Sequence, residues 1–457
     1  AAAVARKRSG AILTAMSEKP NILWICTDQQ RYDTIGALGY KHVDTPHIDQ
    51  LARGGALFNH AYCQQSDCNP SRASVLTGLR PDATQVHGNH THYREAHPTI
   101  VTLSQHFKNH GYHTQAFGEI YHGVFPEGAS KTVADTFDDP ESWSAPSFRP
   151  EPRYYYTEEG IEQSRAAYQK MYQPKNPEPT DWTNKLVFGP MTEAPDVADE
   201  ILYDGMVAQR AIRQMKILAH NKEQPFFLAI GFIKPHSPFV APKKYWDLYD
   251  PTKIELAANN SIPSGVPSLA LHGSGEMRRY TDQLRRGKIP DLNQRQMKHG
   301  YAACISYVDA QVGKVLGALD ELGLRDDTIV VLWSDQGYHL GEKGLSGKTT
   351  NFELDSRVAM ILSAAGKEGN GISTEALVEL VDLYPTLSDL AGLQAPKHNQ
   401  LQLGRPFGDH MVLQRGKRVP VWGTAHPGKK ISVTFSSQKK STTTNAEGQW
   451  SVTLESL

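Results

Sequence analysis

The run NILWICT, Asn21 to Thr27, breaks off at Asp28-Gln29-Gln30-Arg31, and this junction decides the fold. Seven mostly apolar residues without polar alternation suit a strand buried on both faces, as in a parallel sheet. Such a strand ends in a polar loop at the sheet's carboxyl edge, the usual place for a site in an open α/β sheet. Downstream, Thr45-Pro46 predicts a helix with Thr45 as N-cap and proline at its first position, stopped by Gly54-Gly55. The pattern continues with a helix over 99–110, a strand at 113–117 and a second buried strand, FFLAIGF, at 226–232. After Met297, apolar residues from Tyr301 and Ile305 to Leu319 and Leu322 recur at three- and four-residue steps, the stripe of a core-facing helix. Strands at 328–333 and 358–363 and a helix over 375–390 complete an α/β fold, a largely parallel sheet with helices on both faces.

Two stretches interrupt that rhythm. Residues 127–200 are rich in Pro, Trp and Tyr, including Trp143, Tyr154, Tyr155, Tyr156 and Trp182, and read as a lid. Residues 259–291 read as a second irregular wall of a pocket. Beyond about residue 403 the composition changes to short alternating β segments, VPVWG, KISVTF and QWSVTL. The expected organisation is an N-terminal extension over 1–19, a main domain over 20–407 and a short all-β appendage over 408–457. No internal repeat is evident.

Composition excludes several classes. At 457 residues, with 48 Lys plus Arg against 49 Asp plus Glu, the chain can bury a large core and has no basic footprint for nucleic acid. No run approaches the roughly 18 consecutive apolar residues of a spanning helix. The four cysteines, Cys26, Cys63, Cys68 and Cys304, form no disulfide framework and no C-x-x-C pair. The basic trio Arg6-Lys7-Arg8 before a short apolar run reads as a weak export signal or an extension, and Met16 as an alternative start. The expected location is therefore cytoplasmic if Met16 is the start, and periplasmic or secreted otherwise.

The strongest local signal is Cys68-Asn69-Pro70-Ser71-Arg72, followed by Leu76-Thr77-Gly78. Pro70 suits a first helical turn and Gly78 an exit, so Cys68 should stand at a helix N-terminus, where amide donors favour negative charge. Arg72 lies one turn on and can meet an anion at the same end. Independently, Asp28-Gln29 and Asp335-Gln336 each follow an apolar strand and bring hard oxygen donors to one sheet edge, a set suited to Ca²⁺ or Mg²⁺ rather than Zn²⁺.

The C-x-P-S-R spacing with L-T-G downstream resembles the signature of type I sulfatases. The resemblance extends over residues 20–407, through Thr45-Pro46-His47-Ile48-Asp49, Lys234-Pro235-His236, Ser334-Asp335 and Asp382-Leu383-Tyr384-Pro385-Thr386. Within the superfamily it is most similar to the iduronate-2-sulfatase branch, through Gly118 to His122, the segment KPHSPF at 234–239, and Gly341-Glu342-Lys343 leading to Lys348-Thr349-Thr350-Asn351-Phe352. The resemblance implies an alkaline-phosphatase-like fold and a sulfatase acting on a sulfated sugar or glycan. It implies Cys68 converted to formylglycine by a formylglycine-generating enzyme, and one calcium ion held by Asp28, Gln29, Asp335, Gln336 and the converted Cys68. It also implies roles: Arg72 and Lys348 hold sulfate oxygens, His122 takes a proton to expel sulfate, and His236 contacts the sulfate or protonates the leaving oxygen.

Two positions depart from the family. Gln336 stands where His or Asn is usual, and Glu119 where Lys is usual. A carboxylate at 119 would repel sulfate unless it pairs with Lys348 or Arg72 or takes a proton. An impaired, glycan-binding sulfatase and a phosphate or phosphonate monoester hydrolase of the same superfamily are the rival readings. The tail, from Gly408-Asp409-His410 through Pro420-Val421-Trp422-Gly423, resembles the opening β-domain of sialate O-acetylesterase-like proteins and should carry no esterase activity.

Overall fold

The computed structural model describes residues 19–40, 42–122, 138–151, 153–172, 188–367, 369–394, 402–403, 418–425, 428–436, 438–445 and 449–455. The chain's contacts divide it between Leu393 and Gln394. Met16, Trp182 and the tail's opening run at 408–415 lie outside the described residues.

The first unit is built on one mixed, mostly parallel sheet. Its strands are β1 (Asn21–Thr27), β2 (Ala56–Tyr62), β3 (His113–Gly118), β4 (Phe226–Gly231), β5 (Thr328–Ser334), β6 (Met360–Ala364) and β7 (Ile372–Glu379). The order β2-β6-β5-β1-β4-β3 places β5, β1, β4 and β3 as four parallel neighbours. Alternate residues of β1 feed two cores. Ile22, Trp24 and Cys26 pack under α2 (Cys68–Thr77), α3 (Leu103–Asn109) and α7 (Leu383–Leu390). Leu23 and Ile25 pack under α1 (Pro46–Gly54), α5 (Tyr203–Leu218) and α6 (Asp291–Glu321), with α4 (Glu158–Tyr172) lying between α3 and α5 in the chain. Burial on both faces is why NILWICT shows no polar alternation.

Several expectations need correction. The stretch expected to be a helix from 375 divides: β7 runs to Glu379 parallel to β2, and the helix begins only at Leu383. Glu-Ala-Leu favours a helix in isolation, but pairing to β2 overrides that preference, and a reciprocal Glu379–Asp382 capping box opens the 3-10 turn Leu380–Asp382 that leads into the helix. The strand expected at 358–363 is β6 together with a separate bridge at Arg357–Val358, and β6 is antiparallel to both β5 and β2. Thr45 does not cap α1. Asp309 on α6 accepts from the Ile48 and His47 amides at 2.8 and 3.3 Å instead. The helix expected over 99–110 starts at Leu103, where the Thr102 side chain accepts from Gln105 N–H. Within the stretch expected to be a lid, Trp143 and Tyr155 are buried.

The second unit contains β8 (Gln402–Leu403), β9 (Val419–Thr424), β10 (Lys430–Phe435), β11 (Gln438–Thr443) and β12 (Gln449–Leu454), paired antiparallel in two small sheets. Val421, Ile431, Trp450, Val452 and Leu454 form its own small core.

Candidate active site

The parallel register of β1 and β5 sets Thr27 opposite Ser334, so the residues that follow each strand emerge side by side. Gln29 N–H donates to Asp335 Oδ1 at 3.1 Å, and Gln30 N–H donates to Ser334 Oγ at 2.8 Å. Gln29 sits at φ +64°, a left-handed conformation that turns the chain sharply beneath the edge.

The helix α2 brings the cysteine to this edge. Asp67 caps it, accepting from Cys68 N–H at 3.1 Å, and Gly78 at φ +70° ends it. Ser71 Oγ ties the first turn to the Asp335 carbonyl at 2.6 Å. Asn69 is pinned by the carbonyls of Gly88 and Thr91 and by Asn89 Oδ1, so the segment after the signature does border the site.

Around Cys68 Sγ stand Lys348 Nζ at 2.9 Å, Gln336 Nε2 at 3.1 Å and Asp28 Oδ1 at 3.9 Å. Burial, with Asp28 adding, pushes the Cys68 thiol well above its ordinary pKa, so the unmodified thiol is a poor nucleophile. Arg72, buried at 1% exposure, donates from Nε to Asp335 at 2.8 Å and from Nη2 to Asp28 at 3.2 Å. Its Nη1 reaches the Glu119 and Ile120 carbonyls at 2.6 and 3.1 Å. The guanidinium therefore locks both aspartates and the end of β3 at once, and one of its five N–H groups is left for another acceptor.

The histidines lie on the same side. Asp204 accepts from the Ile233 and Lys234 amides, and Lys234 Nζ ties down the His236 and Pro238 carbonyls, which fixes the loop after β4. His236 Nδ1 lies 2.6 Å from the Ser237 carbonyl and must be the protonated nitrogen, so the Nε2 lone pair faces Lys348 at 3.4 Å. Burial, with Lys348 adding, lowers the His236 pKa. Burial also drives His122 down to about 4 against the pull of Glu119, and among the described residues its Nδ1 has no partner.

Glu119 pairs with neither Lys348 nor Arg72 through its side chain, and it is not protonated. Its carboxylate meets Arg149 Nη2 at 3.2 Å. Burial alone would raise its pKa, but Arg149, with Arg72, His122 and His236, holds it at about 2. Sequence reasoning missed Arg149, which no motif marks. It missed Glu276 as well, 3.7 Å from His236 Nε2 in the second irregular stretch. It also missed the fully buried His339–Asp355 pair at 2.6 Å, whose carboxylate anchors Thr350 next to the lysine loop.

The oxygen donors fit a hard divalent cation. Among the described residues, both polar atoms of the Gln29 side chain and Gln336 Oε1 are buried without a partner. Burial pushes Asp28 up to about 6 and Asp335, with Asp28 adding, to about 7, a cost that a cation between them would relieve. Asp28, Cys68 and His236 also converge closely enough to share one ion.

Comparison with known proteins agrees with this geometry. The family profile described as Sulfatase matches residues 20–393. The iduronate 2-sulfatase of Mus musculus is 35% identical over 406 residues, covering 82% of this chain and 69% of that protein. A sulfatase of Formosa agariphila is 31% identical over 391 residues, covering 84% and 71%. Among solved structures, the phosphonate monoester hydrolase of Agrobacterium radiobacter superposes with a TM-score of 0.63 at 24% identity, over 82% of this chain and 74% of its own, a likeness of fold. The cysteine-bearing helix, the aspartates ending two neighbouring strands and the extent of these matches lead to one assignment: the chain belongs to the sulfatase family and is a sulfuric ester hydrolase similar to the iduronate 2-sulfatases.

Proposed function

We propose that this sulfatase hydrolyses the sulfate ester of a sulfated sugar or glycan, using formylglycine made from Cys68 and one calcium ion. The reading is carried by Cys68 Sγ, which stands at the start of α2 between Lys348 Nζ at 2.9 Å and Asp28 Oδ1 at 3.9 Å. The raised thiol pKa supports conversion over thiolate chemistry. Asp28, Gln29, Asp335 and Gln336 would hold the calcium ion, with the converted Cys68 beside it. Together the ion and the converted side chain supply Lewis-acid stabilisation of negative charge and a hydroxyl nucleophile.

The remaining work falls to the chain's own side chains. Lys348 holds a sulfate oxygen and places sulfur over the α2 N-terminus. Arg72 orients Asp28 and Asp335 with two of its donors, holds the Glu119 and Ile120 carbonyls with two more, and offers its remaining N–H to the sulfate. His122 is neutral above about pH 4 and so is available as a proton acceptor in the step that releases sulfate. His236 turns Nε2 towards the sulfate or the departing oxygen and can donate to either once a second proton is placed on that nitrogen. In this reading the hydrolytic domain is residues 20–393, ending before the boundary at 407 expected from the sequence, and the second unit takes no part in the chemistry. A formylglycine-generating enzyme is the maturation partner. No helix among the described residues is long and apolar enough to cross a membrane.

The test is the mass of the Cys68 peptide after co-expression with a formylglycine-generating enzyme, measured alongside sulfate release from a sulfated saccharide. The expected result is conversion of the thiol to the aldehyde together with calcium-dependent sulfate release. Sulfate release from protein that retains an intact thiol would overturn the reading.

A further inference from the structure

Glu119 introduces a negative charge into a site built to receive an anion. Its own carbonyl accepts from Arg72 Nη1 at 2.6 Å, so this residue adjoins the guanidinium that holds Asp28 and Asp335. The side chain is 16% exposed, and its charge is felt at Arg72, His122 and His236. No protonation removes that charge at working pH.

Its counter-charge comes from a neighbouring stretch of backbone. Phe148 bridges Phe117 in parallel, with Phe148 N–H donating to Ala116 O at 2.9 Å and Gly118 N–H donating to Phe148 O at 2.8 Å. Arg149 therefore leaves the sheet at its carboxyl edge, one strand-width beyond Glu119, and its guanidinium meets the carboxylate at 3.2 Å. Tyr154 and Tyr203 are the other titratable groups on which both members of the pair act.

We propose that the Glu119–Arg149 pair selects substrates by charge, admitting monoanionic esters and penalising dianionic ones. The inference rests on the hydrolytic reading above. A sulfate monoester carries one negative charge at neutral pH, and a phosphate monoester carries two. Coulomb repulsion from a fixed carboxylate scales with the charge it meets, so Glu119 opposes phosphate about twice as strongly as sulfate. Lys348 and Arg72 attract both substrates and would by themselves favour the dianion. Discrimination therefore needs a repulsive element, which Glu119 provides. Arg149 limits the repulsion to a level that a monoanion tolerates. A phosphonate monoester, which contains phosphorus yet carries a single charge, separates charge from element.

The experiment measures kcat/KM of the matured protein for 4-nitrophenyl sulfate, 4-nitrophenyl phosphate and 4-nitrophenyl methylphosphonate, which share a leaving group. Wild type, Glu119→Gln, Arg149→Ala and the double variant are compared, with thermal melting to confirm folding. Glu119→Gln should raise the phosphate-to-sulfate ratio about tenfold and leave the phosphonate-to-sulfate ratio within about twofold. Arg149→Ala should lower the phosphate-to-sulfate ratio, and the double variant, which removes the selecting pair, should settle between wild type and Glu119→Gln. If Glu119→Gln does not fold, Glu119→Ala and Arg149→Ala carry the same predictions. Equal rises for phosphate and phosphonate, or ratios unmoved by either substitution, would overturn the proposal. Wild type that releases no sulfate from a sulfated saccharide assayed alongside would instead defeat the parent reading, and active wild type with flat ratios defeats this inference alone.

Discussion

Replacing Glu342 with Gln tests whether one buried ion pair fastens the loop carrying Lys348 to the loop carrying Asp28. Arg31 Nη1 donates to Glu342 Oε1 at 2.8 Å, and Leu340 N–H donates to Oε2 at 2.7 Å. The glutamate side chain is only 10% exposed. Burial pushes its pKa up, but Arg31 outweighs burial and holds it at about 2 against an ordinary 4.5. At about 1.36 kcal/mol per pH unit, this difference amounts to about 3 kcal/mol of stability. Because the folded-state pKa is depressed, the contribution is complete above about pH 4.5 and drains away as pH falls towards about 2. Roughly 1.4 kcal/mol of it is gone by about pH 3.5. Urea unfolding of wild type and Glu342→Gln should therefore show a gap of about 3 kcal/mol near neutral pH that narrows steadily in acid. A gap of constant size from about pH 7 down to about pH 3 would refute the reasoning, because a packing loss does not titrate. No gap at neutral pH would refute it too.

Three further outcomes follow from the same structure. Asp335→Asn should abolish the rise in melting temperature that calcium gives the parent protein while leaving the chelator-treated protein at least as stable, because it removes one of two like charges crowded at the edge; differential scanning with and without calcium reads both. His122→Gln should cut sulfate hydrolysis on the order of a hundredfold or more and erase the acid limb of the kcat/KM profile, which the parent should show near pH 4 as His122 protonates. Asp309→Ala should cost about 1 kcal/mol at about pH 4, where the carboxyl is still protonated in the fold, through the lost cap on α1, read by urea unfolding. Burial raises Asp309 from 3.8 to about 7, so the native state keeps this proton longer than the unfolded chain and stability falls as pH rises through that window; Asp309→Asn should flatten that slope.

What was legible in the sequence was whatever local pattern controls. β1, β4 and β5 are apolar runs, and β1 and β5 break off at aspartates, so the strands and the two aspartates could be read directly. The cysteine helix was legible because Pro70 and Gly78 punctuate it. Features that depend on long-range pairing were not. Residues 375–379 carry helix-forming side chains and become a strand only because β2 lies beside them. The true cap of α1 sits 261 positions away from the amide it serves, beyond any local rule. The partner of Glu119 was hidden for the same reason. Arg149 lies in a segment without periodicity and reaches the site only because Phe148 bridges β3.

The site's arrangement has an energetic logic that connects its parts. Parallel register forces the ends of β1 and β5 together, so any carboxylates placed there are both buried and mutually repelled. Arg72 offsets part of that repulsion, but its donors are divided among two side chains and two carbonyls. The amides of Gln29 and Gln336, buried with unpartnered atoms, add to the strain instead of relieving it. A cation at this point would satisfy the aspartates and the orphaned amide oxygens together, so cation affinity and folding stability draw on the same free energy. Gln336 is consistent with this, because its amide oxygen is already unpaired and can ligate, while its Nε2 donates towards Cys68 Sγ. It follows that the amide at 336 and the anion at 119 need not weaken the site: the first has an oxygen to give to the cation, and the second is matched by Arg149 at 3.2 Å.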